Sequence, residues 1–262
     1  MTQSSEIRRL WPDPQPDAAP LDQAALAAAY APPPPPATRA SLRINFVSSA
    51  DGAVTVSGRS GGLSSPSDKR VFNILRVHCD ALVVGAGTLR VEGYGPLRLR
   101  DAHRATRVSL GHPEHPTLVI VSARLDLDPS HPMLTDAPVR PVVLTHDASP
   151  ADRRDALAKV ADVLVFGEIE LDLPAALTEL RGRGFATLLS EGGPHLLGAL
   201  TAADLVDELC LTVAPLLAGP GAGRITAGVP VEAPRELNLV HVLGAGDELL
   251  LRYARAHPAA TQ

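Results

Sequence analysis

Ala186-Thr187-Leu188-Leu189-Ser190-Glu191-Gly192-Gly193-Pro194-His195-Leu196-Leu197 is a short apolar run that ends in an acid, two glycines and a proline before the pattern turns helical. A buried strand needs only a few apolar residues, and paired glycines let the chain turn sharply and approach a ligand with no Cβ in the way. Pro194 suits the first position of the next helix, whose unpaired N–H groups and positive dipole end would face whatever sits above the glycines. The stretch reads as a phosphate cradle, with an ordinary strand-to-helix turn as the alternative, since one glycine pair is a weak motif.

Asp80-Ala81-Leu82-Val83-Val84-Gly85-Ala86-Gly87-Thr88-Leu89-Arg90 repeats the pattern: a buried strand runs into glycines, with a hydroxyl placed to cap a helix or bind a phosphate oxygen. Two such turns suit a dinucleotide. Neither is the Rossmann fingerprint, because Gly85-x-Gly87 lacks the third glycine and no acid follows at the end of the next strand. A third segment, Leu42-Arg43-Ile44-Asn45-Phe46-Val47-Ser48-Ser49-Ala50-Asp51-Gly52-Ala53, is a strand that breaks at Asp51-Gly52. With Val84-Gly85-Ala86-Gly87-Thr88 and Glu191-Gly192-Gly193 it resembles the pyrimidine reductases of riboflavin biosynthesis, over roughly Leu42 to Tyr253.

The resemblance implies a dihydrofolate-reductase-like α/β fold, a homodimer, and NADPH-dependent conversion of the ribosylamino group of a 5-amino-6-(5-phosphoribosylamino)pyrimidine to a ribitylamino group. It places Val47, Gly62, Thr88, Glu92 and the loop Gly193, Pro194, His195, Leu196 beside the NADPH, and Gly85, Gly87 and Gly192 line the same turns by position. Its substrate positions are Ser60, Arg76, Arg98 and Glu191. Glu92 stands where an aspartate is common in the family, and Asn45, a further substrate candidate, where many relatives carry lysine. Two rivals follow from that loss: a dihydrofolate or dihydropterin reductase, and a non-catalytic NADP(H)-binding protein of the same fold.

The residues themselves add chemistry. Ser122 and Arg124 after the strand Thr117 to Val121 favour a 2′-phosphate, which an acid there would repel, although Arg124 also reads as a solvated surface charge. Arg98 lies in an arginine-rich loop with Arg100, Arg104 and Arg107, suited to a ribose phosphate or simply to solvent. Asp51 and Glu191 are the catalytic candidates: Asp51 faces the cleft by family position or forms an Asx turn, and Glu191 accepts hydrogen bonds from the substrate or caps the Pro194 helix. Asp68 complements a helix dipole or binds the amino-pyrimidine edge. His195 reaches a phosphate or lies on a helix surface, and His112 and His115 sit three apart on a proline-broken loop without a third ligand, so no metal site is expected.

The chain has 262 residues, a net charge of −5 and 3% aromatics, which argues against nucleic-acid binding. Cys79 and Cys210 have neither disulfide nor metal spacing, and no His-x-Glu with Pro-Cys-x-x-Cys marks a fused zinc deaminase, so a free-standing reductase is expected. The absence of a signal-peptide pattern or membrane span gives a cytoplasmic expectation.

Residues 1–40 read as a Pro-rich arm, 41–256 as the reductase domain and 257–262 as a tail. The run Pro32 to Pro36 favours a stiff strap or linker, with Trp11 and Tyr30 available to dock the arm. Strands are predicted at 42–49, 81–84, 117–121, 139–145, 163–166, 187–190, 208–213, 240–243 and 249–252, and helices at 67–78, 151–160, 173–182 and 194–199. Their alternation predicts a mostly parallel central sheet with helices on both faces, and the last two strands, too close for a crossover, an antiparallel C-terminal edge pair. That apolar edge needs covering, which independently favours self-association.

Overall fold

The computed structural model describes residues 6–13 and 19–256; the tail read at 257–262 lies outside the described residues. Among the described residues, ten strands form one sheet in the order β1-β9-β10-β8-β2-β7-β3-β4-β5-β6. Here β1 is Ile7–Trp11, β2 Ser41–Ser49, β3 Ala81–Gly85, β4 Thr117–Val121, β5 Val142–Thr145, β6 Asp162–Val165, β7 Thr187–Ser190, β8 Glu208–Ala214, β9 Leu237–Ala245 and β10 Glu248–Arg255. The run from β8 to β6 is parallel, whereas β10, β9 and β1 are antiparallel to their neighbours.

Alternation along the central strands supplies two cores. Leu82, Val84 and Ile120 face α2 (Pro66–His78), α5 (Pro132–Thr135) and α6 (Ala151–Ala158), while Ala81, Val83 and Val119 face α7 (Leu173–Gly182) and α8 (Pro194–Ala202). The remaining helices are α1 (Gln23–Ala29), α3 (Ala86–Glu92) and α4 (Asp101–Ser109). Ser65 caps α2 by accepting the N–H groups of Ser67 and Asp68, with Pro66 in the first turn. Four positions of α2 then point away from the core: Asp68, Lys69, Phe72 and Arg76, at the spacing of one helix face.

The sheet edge differs from the one expected. The β9/β10 hairpin is antiparallel as expected, but it is not the edge, because β1 from the N-terminal arm pairs with β9. An uncovered apolar edge is therefore no reason for self-association, and a homodimer would have to use another surface. The arm docks through Tyr30, which is fully buried against His241, and through Ile7; Trp11, proposed for docking, stays 42% exposed. Residues 32–36 form no regular hydrogen-bonded element and lead from α1 to β2.

Buried charge fixes the arm. Glu208 accepts Arg43 on one carboxylate oxygen and Arg252 on the other, while Arg43 donates to the Tyr30 carbonyl at 2.7 Å and Arg252 to those of Ala29 and Ala31 at 2.6 and 3.0 Å. The two guanidiniums exceed the single carboxylate by one charge, which the carbonyl end of α1 offsets. Arg107, read as part of an arginine-rich loop, is fully buried in α4 and caps the end of α2 by donating to the carbonyls of Arg76, Val77 and Cys79 at 2.9, 3.0 and 2.6 Å. Glu208→Gln leaves two buried guanidiniums without a counter-charge and is expected to lower unfolding free energy by about 3 kcal/mol in urea titration. A loss below about 1 kcal/mol would mean that the arm is held by apolar contacts alone.

Candidate active site

β7 stops early. Its last residue, Ser190, pairs with Ile44 on one side and Val83 on the other, while β2 continues through Ser49 and β3 through Gly85. A notch opens beyond the carboxyl end of β7, the place where parallel sheets bind ligands. The turn Glu191-Gly192-Gly193 enters it: Glu191 N–H donates to the Val83 carbonyl at 3.2 Å and Gly85 N–H to that of Gly192 at 2.9 Å. The Gly192–Gly193 peptide is cis, and Gly192 has φ of 99°, a conformation that favours glycine; a Cβ there would strike the Phe46 ring at 2.9 Å.

A cavity of about 610 Å³ fills the notch. Of the sequence-derived candidates, Asn45, Val47, Ser60, Asp68, Gly85, Gly87, Thr88, Glu92, Glu191, Gly193, Pro194, His195 and Leu196 line it. On the cradle side, Gly193 caps α8 and no side chain is bonded to its first turn, which leaves those N–H groups available to a ligand. A Cβ on Gly87 would meet nothing within 4 Å and would project into the space beside the wall. Glu92 accepts the Ser60 N–H at 3.0 Å and orders the 3₁₀ turn Ser60–Gly62. The glycines and the uncapped start of α8 fit the phosphates of a dinucleotide.

The opposite wall is acidic and buried. Glu191 takes a bidentate pair from Arg76, both contacts 2.6 Å, and a third hydrogen bond from the Tyr94 hydroxyl at 2.9 Å. Burial, then the neighbouring Glu191 charge, pushes the Tyr94 phenol far up, so it stays a donor. The Arg76 guanidinium stacks over Phe72, 4.1 Å from the ring centre; burial opposes its charge, but Glu191 outweighs that and raises its pKa. Asp68 is 5% exposed and is held by the Ser64 and Thr212 hydroxyls. Desolvation dominates and raises its pKa.

Other candidates lie outside the cavity. Arg76 stands behind Glu191, and Gly62 and Gly192 belong to the two turns without lining the space. Asp51 is exposed at the end of β2: it accepts from Ser49 and from the N–H groups of Ala218 and Gly219 at 3.1 and 2.8 Å, tying the loop after β8 to that after β2, and these bonds lower its pKa. Arg98 donates to the Asp136 carbonyl at 2.6 Å on an exposed surface. Ser122 is buried at the end of β4, where its N–H donates to the Leu144 carbonyl, and exposed Arg124 follows it. His112 bonds Asp80 at 3.0 Å, and His115 accepts the Leu99 N–H at 3.1 Å. Both cysteines are buried, which raises Cys79 to about 12 and Cys210 to about 11.

Several lining residues escaped sequence reasoning, among them Phe46, Lys69, Phe72, Val91 and Tyr94. Phe72 carried a legible signal, since it is four residues from both Asp68 and Arg76 on α2.

Residues 40–251 match the RibD C-terminal domain. The chain belongs to that family. The 2,5-diamino-6-ribosylamino-4(3H)-pyrimidinone 5′-phosphate reductase of Methanothermobacter thermautotrophicus is 29% identical, the match covering 80% of this chain and 95% of that protein. The protein of the same name from Archaeoglobus fulgidus is 31% identical over 67% of this chain and 80% of its own length. A pyrimidine reductase-like protein of Corynebacterium diphtheriae superposes with a TM-score of 0.76 at 28% identity, covering 84% of this chain and 93% of that structure. The chain is thus a reductase with the α/β fold of RibD-type reductases, as the motifs implied. Among the described residues no helix is long and apolar enough to cross a membrane.

Two measurements probe the site. Gly87→Val places a side chain in the open cradle and is expected to weaken NADPH binding at least about tenfold in fluorescence titration, with Tm nearly unchanged; unaltered affinity would remove this turn from the dinucleotide site. Asp68, whose carboxylate is disfavoured by burial, destabilises the folded state once ionised: the protonated form's stability is present below the unfolded value of 3.8 and is lost as pH rises through the raised folded value. Asp68→Asn is therefore expected to raise Tm at neutral pH, with the gain fading as pH falls below that unfolded value. Equal Tm at neutral pH would show that the two hydroxyl donors offset the burial.

Proposed function

We propose that this protein is an NADPH-dependent reductase that converts the ribosylamino group of a 5-amino-6-(5-phosphoribosylamino)pyrimidine to a ribitylamino group in riboflavin biosynthesis. The observation that carries this reading is a single cavity whose glycine-lined side fits a dinucleotide and whose opposite wall presents buried carboxylates. The relatives' names supply the substrate class.

Bound NADPH supplies the hydride. Gly85, Gly87, Thr88 and the Gly193-capped start of α8 would hold its phosphates, and Val47 and Leu196 would flank it. Arg124, exposed outside the cavity, would supply a cation for a 2′-phosphate, and Arg153 is bonded to its carbonyl at 3.0 Å.

In the substrate, opening of the ribosylamine gives a C1′=N imine, and the reduction would place the cofactor's hydride at C1′ and a proton from water at the nitrogen, so that two electrons and two hydrogens enter. The ring is held by acceptors: Asp68 takes N–H groups of the amino-pyrimidine edge, helped by Asn45 and Ser60. Glu191, already engaged by Arg76 and Tyr94, keeps one lone pair for the substrate and fixes the wall. Asp51 acts on the substrate only through the loop it ties. Phosphorylated metabolites do not cross membranes unaided, so a cytoplasmic location accords with this chemistry.

A dihydropterin presents a similar amino-pyrimidine edge, so Asp68 fits it too. Steady-state NADPH oxidation distinguishes the readings: kcat/KM is expected to be at least about a hundredfold higher for the phosphoribosylamino-pyrimidine, deaminated or not, than for dihydrofolate. A preference for dihydrofolate would make the protein a pterin reductase, and no turnover with tight NADPH binding would make it a binding protein.

A further inference from the structure

Among the described residues that line the cavity, Lys69 is the only lysine or arginine, and nothing in the sequence motifs assigned it a role. It sits in the first turn of α2 on an exposed rim, one residue from Asp68 and three from Phe72. Its backbone is engaged: its N–H donates to Ser65 at 3.0 Å and its carbonyl accepts Asn73 at 2.7 Å.

A phosphate entering this cavity meets the carboxylates of Asp68, Glu92 and Glu191 on the walls, and so needs a cation at the point where it comes to rest. Arg59 and Arg100 do not line the cavity, and other arginines are engaged elsewhere. Arg76 is bidentate to Glu191, Arg98 reaches the Asp136 carbonyl, Arg104 pairs with Asp101 and Glu114, and Arg107 caps α2. Asn45, on the cavity wall, is uncharged. The first N–H groups of α2 are taken by Ser65, so the helix end cannot substitute.

We propose that the Lys69 ammonium binds the 5′-phosphate of the substrate at the rim of the cavity, with the pyrimidine directed inward to the buried Asp68 and Glu191; this rests on the phosphorylated-pyrimidine reading above. Burial orders the two ends. A phosphate keeps most of its hydration at the exposed rim, whereas an apolar ring face gains from the depth beside Phe72. Lys69 also determines specificity, because a substrate without the phosphate leaves its ammonium to water and forgoes the attraction.

The test is kcat/KM for the phosphoribosylamino-pyrimidine and its 5′-dephosphorylated form, with wild type, Lys69→Ala and Lys69→Arg, alongside the NADPH and NADH dissociation constants. Wild type is expected to prefer the phosphorylated form. Lys69→Ala is expected to shrink that preference at least about tenfold, and Lys69→Arg to retain most of it, with NADPH affinity unaltered. A wild-type preference that survives Lys69→Ala would overturn the assignment alone. Loss of NADPH affinity with NADH affinity kept would overturn it in favour of the cofactor's phosphate. A wild type indifferent to the phosphate would overturn the phosphorylated-substrate reading and this assignment together.

Discussion

β7 ends at Ser190, while β2 and β3 on either side run on, and the site follows from that mismatch in strand length. Had β7 continued, its backbone would occupy the space beside Asn45, Phe46 and Val47. The chain instead turns at Gly192 and Gly193, where backbone keeps one hydrogen bond to β3 and side chains are absent. The N-terminal end of α8 is thereby aimed at the opening, and the Glu191 carboxylate is left on the other side. One turn builds both halves of the cavity.

Charges that face a dry wall must be neutralised nearby, and the fold does this twice. Arg76 and Tyr94 satisfy Glu191 at the site, and Arg107 in turn caps the helix that carries Arg76. Arg43, Glu208 and Arg252 form the second cluster and bind the carbonyls at the end of α1, which makes the arm part of the sheet's support. Breaking one partner of such a set is costly because it strands the others. Asp68 differs: hydroxyls hold it, and the neighbouring Lys69 charge offsets its burial only in part, so it remains available to a ligand at some expense in stability.

Much of this architecture was legible in the sequence for a physical reason. Fully buried parallel strands are continuous apolar runs, so 81–84, 117–121 and 187–190 declare themselves, and the glycines after the first and last of these mark turns with no side chain in the way. Elements that pack through charge gave no such signal. α4 buries Arg107 rather than an apolar stripe and looked like a loop, and β1 buries only Ile7 among its five residues. The arginines near Arg98 resembled a phosphate site because spacing does not reveal which guanidiniums are already bonded. Lys69 went unnoticed for the opposite reason, as an unremarkable charge in a helix whose neighbours carry the pattern.

The proposed function requires the notch beyond β7 to hold a dinucleotide and an amino-pyrimidine at once. A crystal structure of the protein with NADP⁺ and the ribitylamino-pyrimidine phosphate tests it most directly. The expected complex has the nicotinamide in the cavity between Val47 and the Gly193 turn, the pyrimidine edge on Asp68 and the ribityl C1′ against the nicotinamide. Dinucleotide bound away from the Gly85 and Gly193 turns, or a pyrimidine with no contact to Asp68 or Glu191, would contradict it.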